Sequence, residues 1–202
     1  MLASFDAVQD ASMGVYGRPA GSVSALIAYA ANGITPQLAA QFKDGVYGKN
    51  SGLSTFGDVL NHARSSAATY VDSAGILQTA ASGVARENYH VYNGSAWVKE
   101  GCLHEPEEAT NLLLSSGTLS TQNVTVTAEP HTLHFTGTGT VTLSGTATDG
   151  PLVGTGTGEN NRVNLTFTPS AGTLTLTVSG TVTNAQFEAG SVPTSYMPTD
   201  AV

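Results

Sequence analysis

The residues of this 202-residue chain best suited to chemistry are three aromatics around one turn. His90 and Tyr92 precede Asn93-Gly94, and Trp97, the single tryptophan, follows it. Asn-Gly between alternating segments is a strong signal for a type I′ hairpin. A two-residue turn there pairs Tyr92 with Ser95, Val91 with Ala96, His90 with Trp97 and Tyr89 with Val98. Side chains alternate faces along a strand, so His90, Tyr92, Ser95 and Trp97 share an amphipathic aromatic face. Tyr89, Val91, Ala96 and Val98 share an apolar face that is expected to pack inward. The aromatic face can stack on the apolar side of a sugar ring, with amides and carboxylates meeting its hydroxyls. Glu159, Asn160 and Asn161, in a glycine-rich loop, are candidates for that polar part. The aromatic face could equally be an interface covered by another subunit.

Carboxylates are the second group. Glu100, Glu105, Glu107 and Glu108 cluster after the hairpin. Paired carboxylates hydrolyse glycosides or hold calcium, but the spacing here fixes neither separation nor a raised pKa. No catalytic residue and no metal site is assigned, and a structural calcium is the one cofactor left open. Glu188 is expected to bond neighbouring backbone, Arg64 or Arg86. Cys102, the single cysteine, has His104 two residues on, but a small residue beside a strand explains it as well. His131 and His134, three apart in a strand, face opposite ways and do not make a chelating pair. The loop at 154–158 lacks the lysine of a phosphate loop.

Three zones position these residues. In residues 1–60, Val23, Leu26, Ile27 and Ala30 recur at helical spacing, between Ser22 as N-cap and Asn32-Gly33 as stop. A second short helix is expected from Thr35-Pro36 to about Lys43, with Leu38 and Phe42 on one side. Such helices need a surface to pack on. They read as an attachment or oligomerisation segment built on Val23, Leu26, Ile27, Leu38 and Phe42. Residues 61–111 carry a strand-turn-strand around Asp72-Ser73-Ala74-Gly75, then the 88–99 hairpin. Residues 112–199 alternate Val, Leu and Phe with Thr, Ser and Asn, broken by glycines. These are half-buried antiparallel strands of a sandwich or jelly roll.

Composition narrows the class. Charged residues are 11% and the net charge is −8. Residues 112–202 hold one basic side chain, Arg162. Nucleic acid and anionic membranes need clustered Lys and Arg, so neither is expected as a partner. The N-terminus MLASFDAVQDAS lacks a basic and an apolar region, so no signal peptide is expected. The apolar stretch Val23–Ile34 is shorter than the roughly 20 residues a bilayer needs.

Two blocks carry a family resemblance. The first runs from Ala63 to Leu114, with Arg64, Ser66, Ala68, Thr69, Tyr70, Val71, Asp72 and Gly75, then Arg86, then Leu103, Glu105, Glu108, Thr110, Asn111, Leu112 and Leu113. The second is Val182-Thr-Asn-Ala-Gln-Phe-Glu-Ala-Gly190 with Pro193-Thr-Ser-Tyr196 and Pro198-Thr199. With the strands between them they cover about two thirds of the chain. They resemble a jelly-roll module of bacteriophage and phage-derived surface proteins, found in tail fibres, spikes and head fibres. Cys102, His104 and Pro106 depart from the pattern. The resemblance implies a mainly β chain: a small N-terminal helical or irregular anchor (1–60) before an antiparallel jelly-roll β-sandwich (61–202) that includes the hairpin.

It also implies a non-enzymatic structural protein of the virion exterior, attached to other virion proteins through its N-terminal segment. Such a protein is made in the host cytoplasm and is expected to be a homo-oligomer, with a trimer first. The module looks like carbohydrate-binding modules, which implies adhesion to host surface polysaccharide. A capsid or tail decoration protein that binds no glycan is the alternative. A glycan-degrading enzyme is the third.

Overall fold

A computed structural model describes residues 38–49, 52–105 and 108–201. The chain is mainly β, and every paired strand is antiparallel. Strands β1 (Leu38–Gln41), β2 (Val46–Lys49) and β3 (Gly52–Ser54) form a small meander, followed by one helical turn, α1 (Phe56–Val59). The helix expected to Lys43 is therefore a strand and a turn. The reason is local. Asp44-Gly45 is itself a turn signal, Gly45 takes φ +67°, and its N–H bonds the Phe42 carbonyl. Pairing with Val46–Lys49 satisfies backbone groups that so short a helix would leave open. Leu38 and Leu53 remain exposed, while Phe42 packs edge-on against Tyr47 and Phe56. Val23, Leu26 and Ile27, with the first expected helix, lie outside the described residues.

Two hairpins follow: β4 (Ala68–Val71) with β5 (Leu77–Ala80), and β6 (Tyr89–Tyr92) with β7 (Trp97–Gly101). Each is a two-stranded sheet of its own. The larger unit comprises β8 (Gln122–Val126), β9 (His131–Gly137), β10 (Thr140–Gly145), β11 (Leu152–Val153), β12 (Val163–Phe167), β13 (Gly172–Ser179) and β14 (Val182–Ala189). One sheet has the order β11-β10-β13-β8 and the other β12-β9-β14. The chain repeatedly crosses between the two, so hydrogen-bonded neighbours are distant in sequence. Val124, Val141, Leu143, Leu174 and Leu176 from one sheet meet Leu133, Phe135, Phe167 and Phe187 from the other in a single buried cluster.

The alternation read for these strands is obeyed in the four-stranded sheet. In the other sheet, all seven residues of β9 are buried, as are Ala185–Glu188 of β14. Its outer face, with Thr132, His134, Gln186 and Glu188, is roofed by the chain's last residues. Thr194 bonds Gln186 and Glu188, the Met197 N–H bonds Gln186, and Thr199 bonds the Leu113 carbonyl. The glycine loop at 154–158 also lies close-packed. Gly156 exchanges two backbone hydrogen bonds with Gly137, the Gly154 N–H donates to the Gly139 carbonyl, and a Cβ on Gly154 would collide with the Gly137 carbonyl.

Candidate functional site

The hairpin that carries the aromatics has a register the sequence did not predict. Tyr92 faces Trp97, Val91 faces Val98 and His90 faces Lys99, around a four-residue loop, 93–96. Asn93 is the cause. Its Oδ1 accepts from the Ser95 and Ala96 N–H groups, and its own N–H bonds the Ala96 carbonyl. That side-chain-closed turn displaces the two-residue type I′ turn. A shift of pairing by two leaves the faces unchanged, so His90, Tyr92 and Trp97 still share one side. The inward packing differs, however. His90 is buried and Trp97 half-buried, while Val91 and Ala96 stay exposed.

What draws the aromatic side in is the preceding turn. The Asp72 carboxylate accepts from the N–H groups of Ala74 and Ile76 and from the Gln78 amide. Gly75 sits at φ +76°, where any Cβ would overlap the Trp97 indole. The Trp97 and Tyr92 rings lie 5.3 Å apart at an interplanar angle of 52°, making a corner rather than a flat platform.

Together with the 159–162 loop and residues 193–196, this corner encloses a cleft of about 450 Å³. His90, Tyr92, Trp97, Glu159 and Asn160 all line it. Asn161 does not; its amide bonds the Thr157 carbonyl and holds the loop. Tyr70, Arg162 and Tyr196 also line the cleft but were not singled out as site residues. Tyr70 and Tyr196 lie inside the two recognisable blocks, which was the available signal. Nothing in the sequence ties Arg162 to the hairpin.

Beneath the cleft lies a polar network. Arg162 grips Glu159 with two hydrogen bonds, of 2.8 and 3.0 Å, and its guanidinium lies 5.8 Å over the Tyr196 ring. Its Nη1 donates to His134 Nδ1 at 2.8 Å and to the Asn184 carbonyl. An arginine can only donate, so His134 Nδ1 accepts and the imidazole proton sits on Nε2. That nitrogen faces Glu188 at 3.4 Å. Burial holds the His134 pKa below its ordinary 6.5, against the pull of Glu188 and with help from Arg162. The imidazole is therefore neutral near pH 7. For Glu188, burial pushes the pKa up, but the facing His134 N–H and the hydrogen bonds from Thr194 outweigh it and hold it below the ordinary 4.5. Glu188 is thus an ionised structural acceptor, satisfied by Thr194 rather than by Arg64 or Arg86.

Both shifts destabilise the fold in acid. The unfolded chain protonates His134 near pH 6.5 and the folded one does not, so that contribution, full above pH 6.5, falls as pH drops. The Glu188 contribution is full above pH 4.5 and is lost as pH falls through the lowered folded value. Thermal melts should show a constant Tm from pH 8 to 7, a decline below about 6.5 and a steeper one below about 4.5. His134→Gln, which can still accept from Arg162, should remove the upper part of the decline. An unchanged decline in that variant would assign it to other groups.

The other carboxylates separate. Glu105 pairs with Arg86 at 2.7 Å and accepts from the Ser195 N–H and hydroxyl. Glu100 makes only a surface contact with Lys43, Glu108 is exposed, and Glu107 is outside the described residues. No group of three metal-ligating side chains occurs among the described residues. Burial, with the charge of Glu87, raises the Cys102 pKa, so the thiol stays protonated. His131 stacks on Phe187 in the core, while His134 faces outward into the network. Among the described residues no helix is long and apolar enough to cross a membrane. Comparison with protein-family models, curated proteins and solved structures finds no match to any of them.

Proposed function

We propose that the chain is a structural protein displayed on the exterior of a bacteriophage or phage-derived particle, of fibre, spike or head-fibre type. On this reading its two main sheets are the halves of a jelly-roll module, and residues 1–60 attach it to other virion proteins or to its own copies, as a trimer first. The module adheres to host surface glycans through the cleft. Each contact is weak, and many copies on one particle strengthen it.

The observation that carries the adhesive part is the cleft itself. It sets an aromatic corner, Tyr92 and Trp97, across from the polar loop of Glu159 and Asn160. A sugar needs that combination: apolar C–H faces on rings, and hydroxyls on amides and carboxylates. The family part is supported by what the motif residues do. Arg64 bonds the carbonyls of Ser66, Ala80 and Ala81, Asp72 closes its turn, Arg86 ties the first hairpin to the tail, and Asn111 ties the tail to β14.

The decoration-protein reading draws on exposed Leu38 and Leu53, apolar side chains of the N-terminal meander that suit a contact with another subunit. Catalysis has less support. The Glu188 pKa is lowered, whereas a general acid needs a raised one, and the Glu105 oxygens are occupied.

A glycan array with the full chain tests the adhesive reading. Retention on at least one polysaccharide, weakened about tenfold or more by Trp97→Ala with the fold intact, supports it. No retention on any glycan leaves the decoration reading in its place. Sugar release abolished by Glu105→Gln or Glu188→Gln would replace both with an enzyme.

A further inference from the structure

We infer that the cleft selects uncharged pyranose units and rejects acidic ones; this rests on the glycan-binding reading above. Three formally charged carboxylate and guanidinium groups line the cleft: Glu105, Glu159 and Arg162. Each is already engaged. Glu105 is held by Arg86 and Ser195, and Glu159 takes two hydrogen bonds from Arg162. Arg162 gives both Nη1 donors to His134 and the Asn184 carbonyl, which leaves one Nη2 N–H beside Glu159. His90 commits Nδ1 to the Asn88 carbonyl. Beside that one Arg162 N–H, the cleft-lining groups with no hydrogen bond among the described residues include the Trp97 indole N–H, the Tyr70, Tyr89 and Tyr92 hydroxyls and the Asn160 amide, all uncharged.

The ligand class follows from what each sugar would have to give up. A uronate, sialate or phosphate entering the cleft sheds water from its charge and needs a cation in return. The one guanidinium at hand has a single N–H to spare, and its charge is already met by Glu159, whose carboxylate would stand beside the incoming anion. The chain's net charge of −8 adds to the repulsion. A neutral pyranose meets no such barrier. It exchanges hydroxyl–water bonds for the amide, the hydroxyls and the indole N–H. Its C–H face covers one ring of the Tyr92–Trp97 corner and its edge meets the other. At about 450 Å³ the cleft lies in the lower part of the range for small-ligand sites, room for a short stretch of chain rather than an extended one.

Because the chain has one tryptophan, its fluorescence reports on this cleft alone. The full chain is titrated with oligosaccharides of dextran, mannan and galactan, and with dextran sulfate, polygalacturonate and polysialic acid. The expected result is a saturable Trp97 signal with at least one neutral set and none with the charged sets. Its affinity should change less than about twofold up to about 1 M salt, where charge pairs are screened. Asn160→Ala, an exposed change that leaves the fold alone, should weaken it about tenfold. Saturable binding of a charged set alone, falling with salt, overturns the neutral-sugar inference but keeps the glycan reading. No signal with any set, from a folded chain, removes both.

Discussion

Asn111→Ala is expected to destabilise the protein by about 3 kcal/mol or more, because one buried side chain serves four backbone groups. Its amide donates to the carbonyls of Ala185 and Met197, and its carbonyl accepts from the N–H groups of Leu113 and Phe187. Asn111 is 7% exposed, so water cannot readily replace those bonds. Leaving a buried donor or acceptor unmet costs about 1–3 kcal/mol each, and partial relaxation keeps the total below the sum. Leu, with the same branched outline as Asn but bulkier methyl groups, occupies the site without restoring the bonds, and should be as damaging. Gln122→Ala is the contrast: it removes bonds to Leu114 at an exposed site and should cost under about 1 kcal/mol. Equilibrium denaturation of the three variants gives the numbers. Equal losses at Asn111 and Gln122 would refute the view that Asn111 pins β14 and the tail.

Removing Arg86 has a comparable cost from a different source. Its guanidinium is 5% exposed and bonds the Thr69 carbonyl, Glu105 and the Ser195 hydroxyl. It is the tie between the first hairpin, the segment after the second, and the tail. Breaking a buried ion pair from one side costs about 3–5 kcal/mol. Glu105 keeps some water access, so Arg86→Ala should sit near the lower end, about 3 kcal/mol. All three acceptors converge on Nη1, so Arg86→Lys, whose ammonium carries three donors, should recover part of the loss. The double variant Arg86→Ala/Glu105→Ala should be less damaging than the sum of the singles. Strict additivity in that cycle would deny the pair any direct coupling. Cleft binding should weaken along with stability, because Ser195 and Glu105 both line the cleft.

The sequence carries these two residues differently from the aromatics. Asn111 and Arg86 sit in a recognisable pattern, but a pattern names positions and not bonds. Only the fold shows that Asn111 gathers backbone groups of Ala185, Phe187 and Met197, 74 to 86 residues away, and that Arg86 reaches the Ser195 hydroxyl, 109 residues away. The hairpin was legible in its faces because period-two alternation survives a register shift of two. Its register was not legible, because Asn93 could close either a two-residue or a four-residue loop. The short helix expected over Leu38 and Phe42 failed because periodicity over so few residues is a weak constraint. Pairing with a neighbouring strand outweighed it.

By itself, the sequence determined the β-rich class, the alternating strands of the four-stranded sheet and the sharing of one hairpin face by His90, Tyr92 and Trp97. These follow from local periodicity and turn chemistry, which act over a few residues. The tertiary structure alone decided that Glu159 and Asn160 meet that face in one cleft. It also decided that His134 is neutral, and that the polar side of β9 and β14 is buried beneath the tail. Those outcomes depend on which distant segments the crossings between sheets bring together, and on the water they exclude. No spacing along the chain encodes either one.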